Sequence, residues 1–197
     1  PLKIIWCTLL PEQPVYNLFN DQKYINSWDE FMFVSFYQQE LFIKNIFSNL
    51  NNNPKSYVIK NGVSPWFLAE AEAEAEAEFP RIIYFNSPER GLVDAVNIYT
   101  ILKMKYSKLE MDVYSSMKLY QIDEINDELK EVYDQILKIP GINYNGSISQ
   151  KELAKRVKKG SIYLYPTQIE ESSCICLLEA MVSGCICVVS NLGALSE

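Results

Sequence analysis

Hydrophobic positions in this chain fall into two periodic regimes, and the change between them divides the sequence. Short apolar runs at Lys3–Thr8, Phe31–Phe36 and Ser56–Ile59 read as strands. Between the last two, Gln38–Asn49 carries helical spacing, and Asn51-Asn52-Asn53-Pro54 ends it, because polar turn formers and proline do not continue a helix. Asn61-Gly62 then suits a sharp turn with positive φ. From Arg81 onward, strand and helix patterns alternate regularly. Arg81–Asn86 is followed by a helix over Glu89–Lys103, with Leu92, Ala95, Val96, Tyr99 and Leu102 on one face. Met111–Ser115 precedes a helix over Ile122–Lys138, on whose apolar face lie Ile125, Leu129, Val132, Tyr133 and Ile136. Asn143–Asn145 precedes the short basic helix Gln150–Lys159, closed by Gly160. Ser161–Tyr165 precedes Leu177–Ser183, closed by Gly184, and Cys185–Ser190 is the last strand.

Strands alternating with helices at this spacing predict right-handed βαβ units and an α/β fold with a Rossmann-like parallel sheet. The predicted organisation is the end of a first domain over 1–62, a linker over 63–80, and a Rossmann-like domain over 81–197. There is no G-x-G-x-x-G fingerprint, so nothing points to NAD.

Composition changes this picture in three places. The net charge of −7 is concentrated in the Ala-Glu repeat over 69–78, and the rest of the chain is close to neutral, which argues against a nucleic-acid partner. The repeat alternates with period two although both residues favour helix, and its like charges repel; a linker is preferred over a cation or basic-partner site. The five cysteines, Cys7, Cys174, Cys176, Cys185 and Cys187, are odd in number and set in apolar text. They read as reduced, buried thiols of a cytoplasmic protein; a single residue within each pair is too few for the usual zinc spacing. No apolar run approaches the roughly 18–20 residues of a membrane-spanning helix. The chain opens on Pro1 with no charged-then-apolar leader, which reads as an excised piece.

Ligands of open parallel sheets lie beyond the carboxyl ends of the strands. In the loop Ser87-Pro88-Glu89-Arg90-Gly91, Arg90 and free amides form either a phosphate cradle or an ordinary exposed helix start, and the loop alone leaves both open. The stretch from Tyr165 to Met181 is more informative. Glu171 and Glu179 stand eight positions apart, one in a loop and one in a helix, and two ionised carboxylates suit the hydroxyl pairs of a sugar and a ribose. Amides around Ser172, Ser173, Cys174 and Ile175 would open the helix towards a diphosphate. Glu179 sits among Leu177, Leu178, Ala180 and Met181, so its burial implies a ligand or a fixed donor. The basic helix residues Lys151, Lys155, Arg156, Lys158 and Lys159 suit either an anionic membrane face or simple solvation, the latter preferred.

Pro166-Thr167, Glu171, Leu178-Glu179-Ala180-Met181, Gly184 and Gly193 to Glu197 together resemble the signature of retaining GT-B glycosyltransferases, most closely family 4 (glycosyl transferases group 1) with its E-x7-E motif. The resemblance implies that Glu171 touches the donor sugar and Glu179 the ribose. Glu171-Ser172-Ser173-Cys174 resembles the branch with Ser-Cys in place of Phe-Gly. Arg90-Gly91 resembles the Lys-Gly or Arg-Gly that meets the donor diphosphate. Asn61-Gly62-Val63 resembles the passage between the two domains of the fold, and Ser35 with its helix the end of the first. The sequence departs from the pattern in four respects. Phe85 replaces a second basic residue, Ile186 follows Gly184 where proline is usual, no histidine is present, and the chain stops before the closing helices.

The implied activity is transfer of a sugar from a UDP-, GDP- or ADP-sugar to a glycan, lipid-linked or protein acceptor. It is implied without a metal or other cofactor, since no Asp-x-Asp occurs and Asp94 and Asp112 stand alone. The implied location is cytoplasmic or peripheral to a membrane. A binding module without transfer activity and a sugar-nucleotide epimerase are the alternatives. A phosphorylase is disfavoured because no lysine stands where its pyridoxal Schiff base would form.

Overall fold

The structure is a computed structural model that describes residues 1–69, 80–122, 129–158 and 162–197. The Ala-Glu repeat beyond Ala69, Ile125, Lys159, Gly160 and Ser161 lie outside the described residues. The chain divides into two compact units: residues 1–62 with 170–174 and 191–197, and residues 63–169 with 175–190.

The first unit has a three-stranded parallel sheet of β1 (Ile4–Cys7), β2 (Glu30–Phe33) and β3 (Lys55–Val58), in that order. Its core is an aromatic cluster. Tyr16, Phe19, Phe31, Phe33, Phe42 and Phe47 are buried together with Cys7 and Ile25. Their rings meet at centroid distances from 4.9 Å (Phe31–Phe47 and Phe33–Phe42) to 6.5 Å (Phe31–Phe33). Burial on this scale orders segments that periodicity alone does not mark. A 3-10 turn over Pro14–Asn20 and the short helix α1 (Gln22–Ile25) are examples: Tyr16, Phe19 and Ile25 anchor them.

Helix α2 covers Phe36–Phe42, earlier than the periodicity predicts, because the Ser35 hydroxyl accepts from the Gln38 amide and caps it. A π turn over Ile43–Phe47 continues it, so the helix widens where a continuous α-helix is predicted.

The second unit contains a five-stranded sheet. Its strands are β4 (Arg81–Tyr84), β5 (Glu110–Val113), β6 (Ile142–Tyr144), β7 (Ile162–Tyr165) and β8 (Ile186–Val189), in the order β6-β5-β4-β7-β8. Every pairing is parallel. The central strands bury nearly every side chain, as a sheet covered on both faces requires, whereas β8 alternates between exposed and half-buried positions at the edge. Around the sheet run α3 (Pro65–Leu68), α4 (Leu92–Lys105), α5 (Lys130–Ile136), α6 (Gln150–Val157) and α7 (Ile175–Val182). Leu92, Ala95, Val96 and Tyr99 are the buried face of α4. Among the described residues no helix is long and apolar enough to cross a membrane.

At the foot of the sheet, Arg81 donates to both carboxylate oxygens of Asp112 at 2.9 and 3.1 Å and also pairs with Glu110. Asn143 adds a third hydrogen bond to Asp112, at 2.8 Å. Asp112 is therefore a tie between β4, β5 and β6.

Candidate functional site

The chain visits the strands of the larger sheet in a fixed sense: from β4 outward to β5 and β6, then back across to β7 and outward to β8 on the other side. Neighbouring strands β4 and β7 therefore send their chains away in opposite directions, and the loops leaving their carboxyl ends flank a topological switch point. In open α/β sheets this switch point is where ligands bind.

The loop after β4 runs through Phe85 and Asn86, both buried. The Asn86 side-chain oxygen accepts from the Tyr163 hydroxyl and its carbonyl from Ser115 at 2.6 Å. A 3-10 turn over Pro88–Arg90 follows, and Gly91 then adopts φ 107° before α4 begins. The helix thus starts at Leu92, later than the predicted Glu89. The Arg90 guanidinium is held on this turn within 3.9 Å of Glu89. Gly91 is required for two reasons. Its φ is left-handed, and a Cβ there would stand 2.8 Å from the Pro166 carbonyl oxygen. The close approach brings the loops after β4 and β7 into contact at the switch point. Gln168 strengthens the join by donating to Asp94 of α4 at 2.9 Å. Within the second loop the Ile169 amide donates to the buried Thr167 hydroxyl at 3.0 Å.

Glu179 lies in the middle of α7 and is buried. Its neighbours are less enclosed than the apolar text predicts: Leu177 and Leu178 are half-buried, and Met181 is exposed. The carboxylate has fixed donors. The Gln150 amide donates at 3.2 Å and the Ser64 backbone N–H supplies a second bond. Burial outweighs these bonds and raises the Glu179 pKa above the ordinary carboxylate value. Gln150 and Ser64 are the partners that sequence reasoning missed; they lie far away in the chain, and no spacing announces them.

Glu171 belongs, with residues 170–174, to the first unit. It is buried, and its carbonyl accepts from the Ala194 amide at 2.9 Å. The Ser172 hydroxyl donates to the Thr8 carbonyl at 2.9 Å, so its proton has an internal acceptor. Ser173 is half-buried, Cys174 buried, and Ile175, the first residue of α7, exposed.

Of the five cysteines, only Cys7 and Cys174 are buried; Cys176, Cys185 and Cys187 are half-buried. Cys174-Ile175-Cys176 is not a strand pair: the helix begins between the two cysteines and turns them to different sides. Burial pushes the Cys7 thiol up to about 12 and the Cys185 thiol up to about 11, so both stay protonated at neutral pH. Among the described residues no group of three or more histidine, cysteine, aspartate or glutamate side chains could hold a metal ion.

The basic helix α6 has internal partners for several of its charges. Lys151 lies 4.9 Å from the centre of the Trp66 ring, Lys158 reaches the Ala69 carbonyl, and Arg156 pairs with Glu152 at 3.0 Å.

Neither a protein-family model nor a curated protein matches the sequence. Solved structures do. The pneumococcal O-GlcNAc transferase GtfA, in complex with UDP and GlcNAc, superposes with a TM-score of 0.62 at 16% identity, over 85% of this chain and 31% of that one. A trehalose-6-phosphate protein of E. coli bound with UDP-2-fluoro glucose gives 0.71 at 14% identity, over 98% of this chain and 54% of that one. WaaG, a glycosyltransferase involved in lipopolysaccharide biosynthesis, gives 0.66 at 13% identity, over 98% and 58%. The chain thus spans between 31% and 58% of the length of these three structures. What they share with it is the fold, an α/β architecture with parallel sheets of the Rossmann-like kind found in GT-B glycosyltransferases.

Proposed function

We propose that this chain is the donor-handling part of a retaining, family 4-like glycosyltransferase that takes a sugar from a nucleotide-diphosphate sugar. In this reading residues 81–197 carry the donor domain and residues 1–62 the end of the acceptor domain, joined by 63–80. The observation that carries it is the strand order β6-β5-β4-β7-β8, whose switch point joins the Arg90-Gly91 turn to the loop leading towards Glu171 and Glu179. The bound UDP and UDP-2-fluoro glucose of two structural neighbours support the same ligand class.

Each residue then has a role that its chemistry suits. Arg90 and the amides of Gly91 and of Ser172 to Ile175 meet the diphosphate and stabilise the charge that grows on it as the sugar leaves. Glu171 orients the sugar through its hydroxyls, and Glu179 accepts from the ribose. Gln150 and the Ser64 amide hold Glu179 in place for that contact. The donor is a UDP-, GDP- or ADP-sugar, and the acceptor a glycan, a lipid-linked sugar or a protein. No metal or other cofactor enters this account, and nucleic acid is not a partner. The location is cytoplasmic, with the internal pairing of α6 favouring solvation of that helix over a membrane face.

A donor-binding module without transfer activity is the second reading, favoured by the absence of histidine from the sequence. Calorimetric titration with UDP, GDP, ADP and their glucose conjugates tests the site. One nucleotide series should bind selectively, and Arg90→Ala and Glu179→Ala should each weaken it about ten- to hundredfold. Unchanged affinity in both variants would remove the switch-point assignment.

A further inference from the structure

The proposed sugar contact, Glu171, is held in the first unit by a closed ring of contacts that meets at one residue of α2. The Tyr37 hydroxyl donates to the carboxylate of Glu170 at 2.7 Å. The backbone amide of the same tyrosine donates to Glu197 at 2.5 Å, and Lys60 supports Glu197 at 3.5 Å. The two segments gripped in this way also grip each other. The Ala194 amide donates to the Glu171 carbonyl at 2.9 Å, and a Cβ on Gly193 would fall 2.6 Å from that oxygen and 2.7 Å from the Glu171 nitrogen. The contacts therefore run from the Tyr37 side chain to Glu170, through Glu171 to Ala194, and through Glu197 back to the Tyr37 backbone.

We infer that Tyr37 is a positioning residue for donor binding, acting by fixing the backbone of Glu171 from both flanking segments at once. The inference rests on the reading of Glu171 as a sugar contact. Side-chain placement depends on backbone placement, and displacement of a contact by a fraction of an ångström is enough to lose a good hydrogen bond. The Tyr37 hydroxyl is suited to a lasting tie: burial and the neighbouring Glu170 push its pKa up to about 12, so it keeps its proton across the physiological range. Ser172, bonded to the Thr8 carbonyl, holds the far side of the same loop, leaving the Tyr37 bond as the tie on the near side.

The test uses the full-length protein and UDP-glucose, or the GDP or ADP counterpart that the wild-type protein selects. Tyr37→Phe removes one hydroxyl and keeps the ring. It should weaken donor binding about five- to tenfold and speed amide exchange at Ala194, with the melting transition little moved. Glu170→Gln keeps an acceptor oxygen for the hydroxyl and should retain affinity, whereas Glu170→Ala should match Tyr37→Phe. The double variant should be no weaker than either of those two singles, as members of one coupled pair require. Wild-type affinity in Tyr37→Phe, alongside weakened binding in Glu171→Ala, would overturn the positioning role and leave the functional reading standing. Wild-type affinity in Glu171→Ala would remove the sugar contact itself, and the inference with it.

Discussion

The two units bury different chemistry. The first is closed by phenylalanines and a tyrosine packed edge to face, with Ser35 and Gln38 among its few buried polar side chains. The second buries aliphatic and tyrosine side chains in its sheet but gathers Asn86, Asp112, Ser115, Ser116, Thr167 and Glu179 inside as well. The five other than Asp112 lie beyond the carboxyl ends of strands or on α7, around the proposed donor site. A buried polar group is costly unless it is satisfied, and here Asn86, Asp112, Ser115, Thr167 and Glu179 each have internal hydrogen-bond partners. The first unit is held by ring packing, the second by apolar packing together with a network of internal polar bonds.

Three substitutions sharpen this contrast, in descending order of effect. Phe42→Ala removes a ring packed against Tyr16, Phe19, Phe33 and Phe47, and should cost about 3–5 kcal/mol in denaturant unfolding. A loss below about 1 kcal/mol would mean that the cluster is not the keystone of its unit. Gly91→Ala meets both a left-handed φ and the Pro166 carbonyl, and should cost about 1–3 kcal/mol and weaken donor binding together. If stability falls and donor affinity does not, the turn is structural only.

The smallest effect is the most diagnostic. The raised pKa of Glu179 means that its contribution to stability is fully present below the unfolded-state pKa. That contribution is lost as pH rises through the folded-state pKa. Glu179→Gln should therefore gain melting temperature relative to wild type at pH 8 and lose that advantage at pH 4, while donor binding falls. Parallel melting profiles for the two proteins across this range would show that burial of the carboxylate carries no penalty.

The larger sheet was legible because β4 and β7 are largely apolar runs, and because the helices between the strands have the 3.6 period. Residues at element ends were harder. Pro88 and Gly91 stand in plain sight, yet the break between them in the predicted helix depends on how closely Pro166 approaches, which is a tertiary fact. The 3-10 turn over Pro14–Asn20 has no period of its own and is ordered by the rings it buries. Burial of Glu179 was visible as a conflict between its charge and its neighbours. The donors that resolve the conflict were not visible, because Gln150 and Ser64 are brought to it only by folding.

The π turn over Ile43–Phe47 has a consequence of a different kind. It places Phe42 and Phe47, five residues apart, in one core, with ring centroids 6.2 Å apart, where an α-helix would bring together residues four apart. In terms of descent, the turn is equivalent to a single-residue insertion absorbed inside a helix without rotating the aromatic face that follows. The aromatic face of this stretch is therefore set by the widened turn and the rings it brings together, not by the regular spacing of an α-helix.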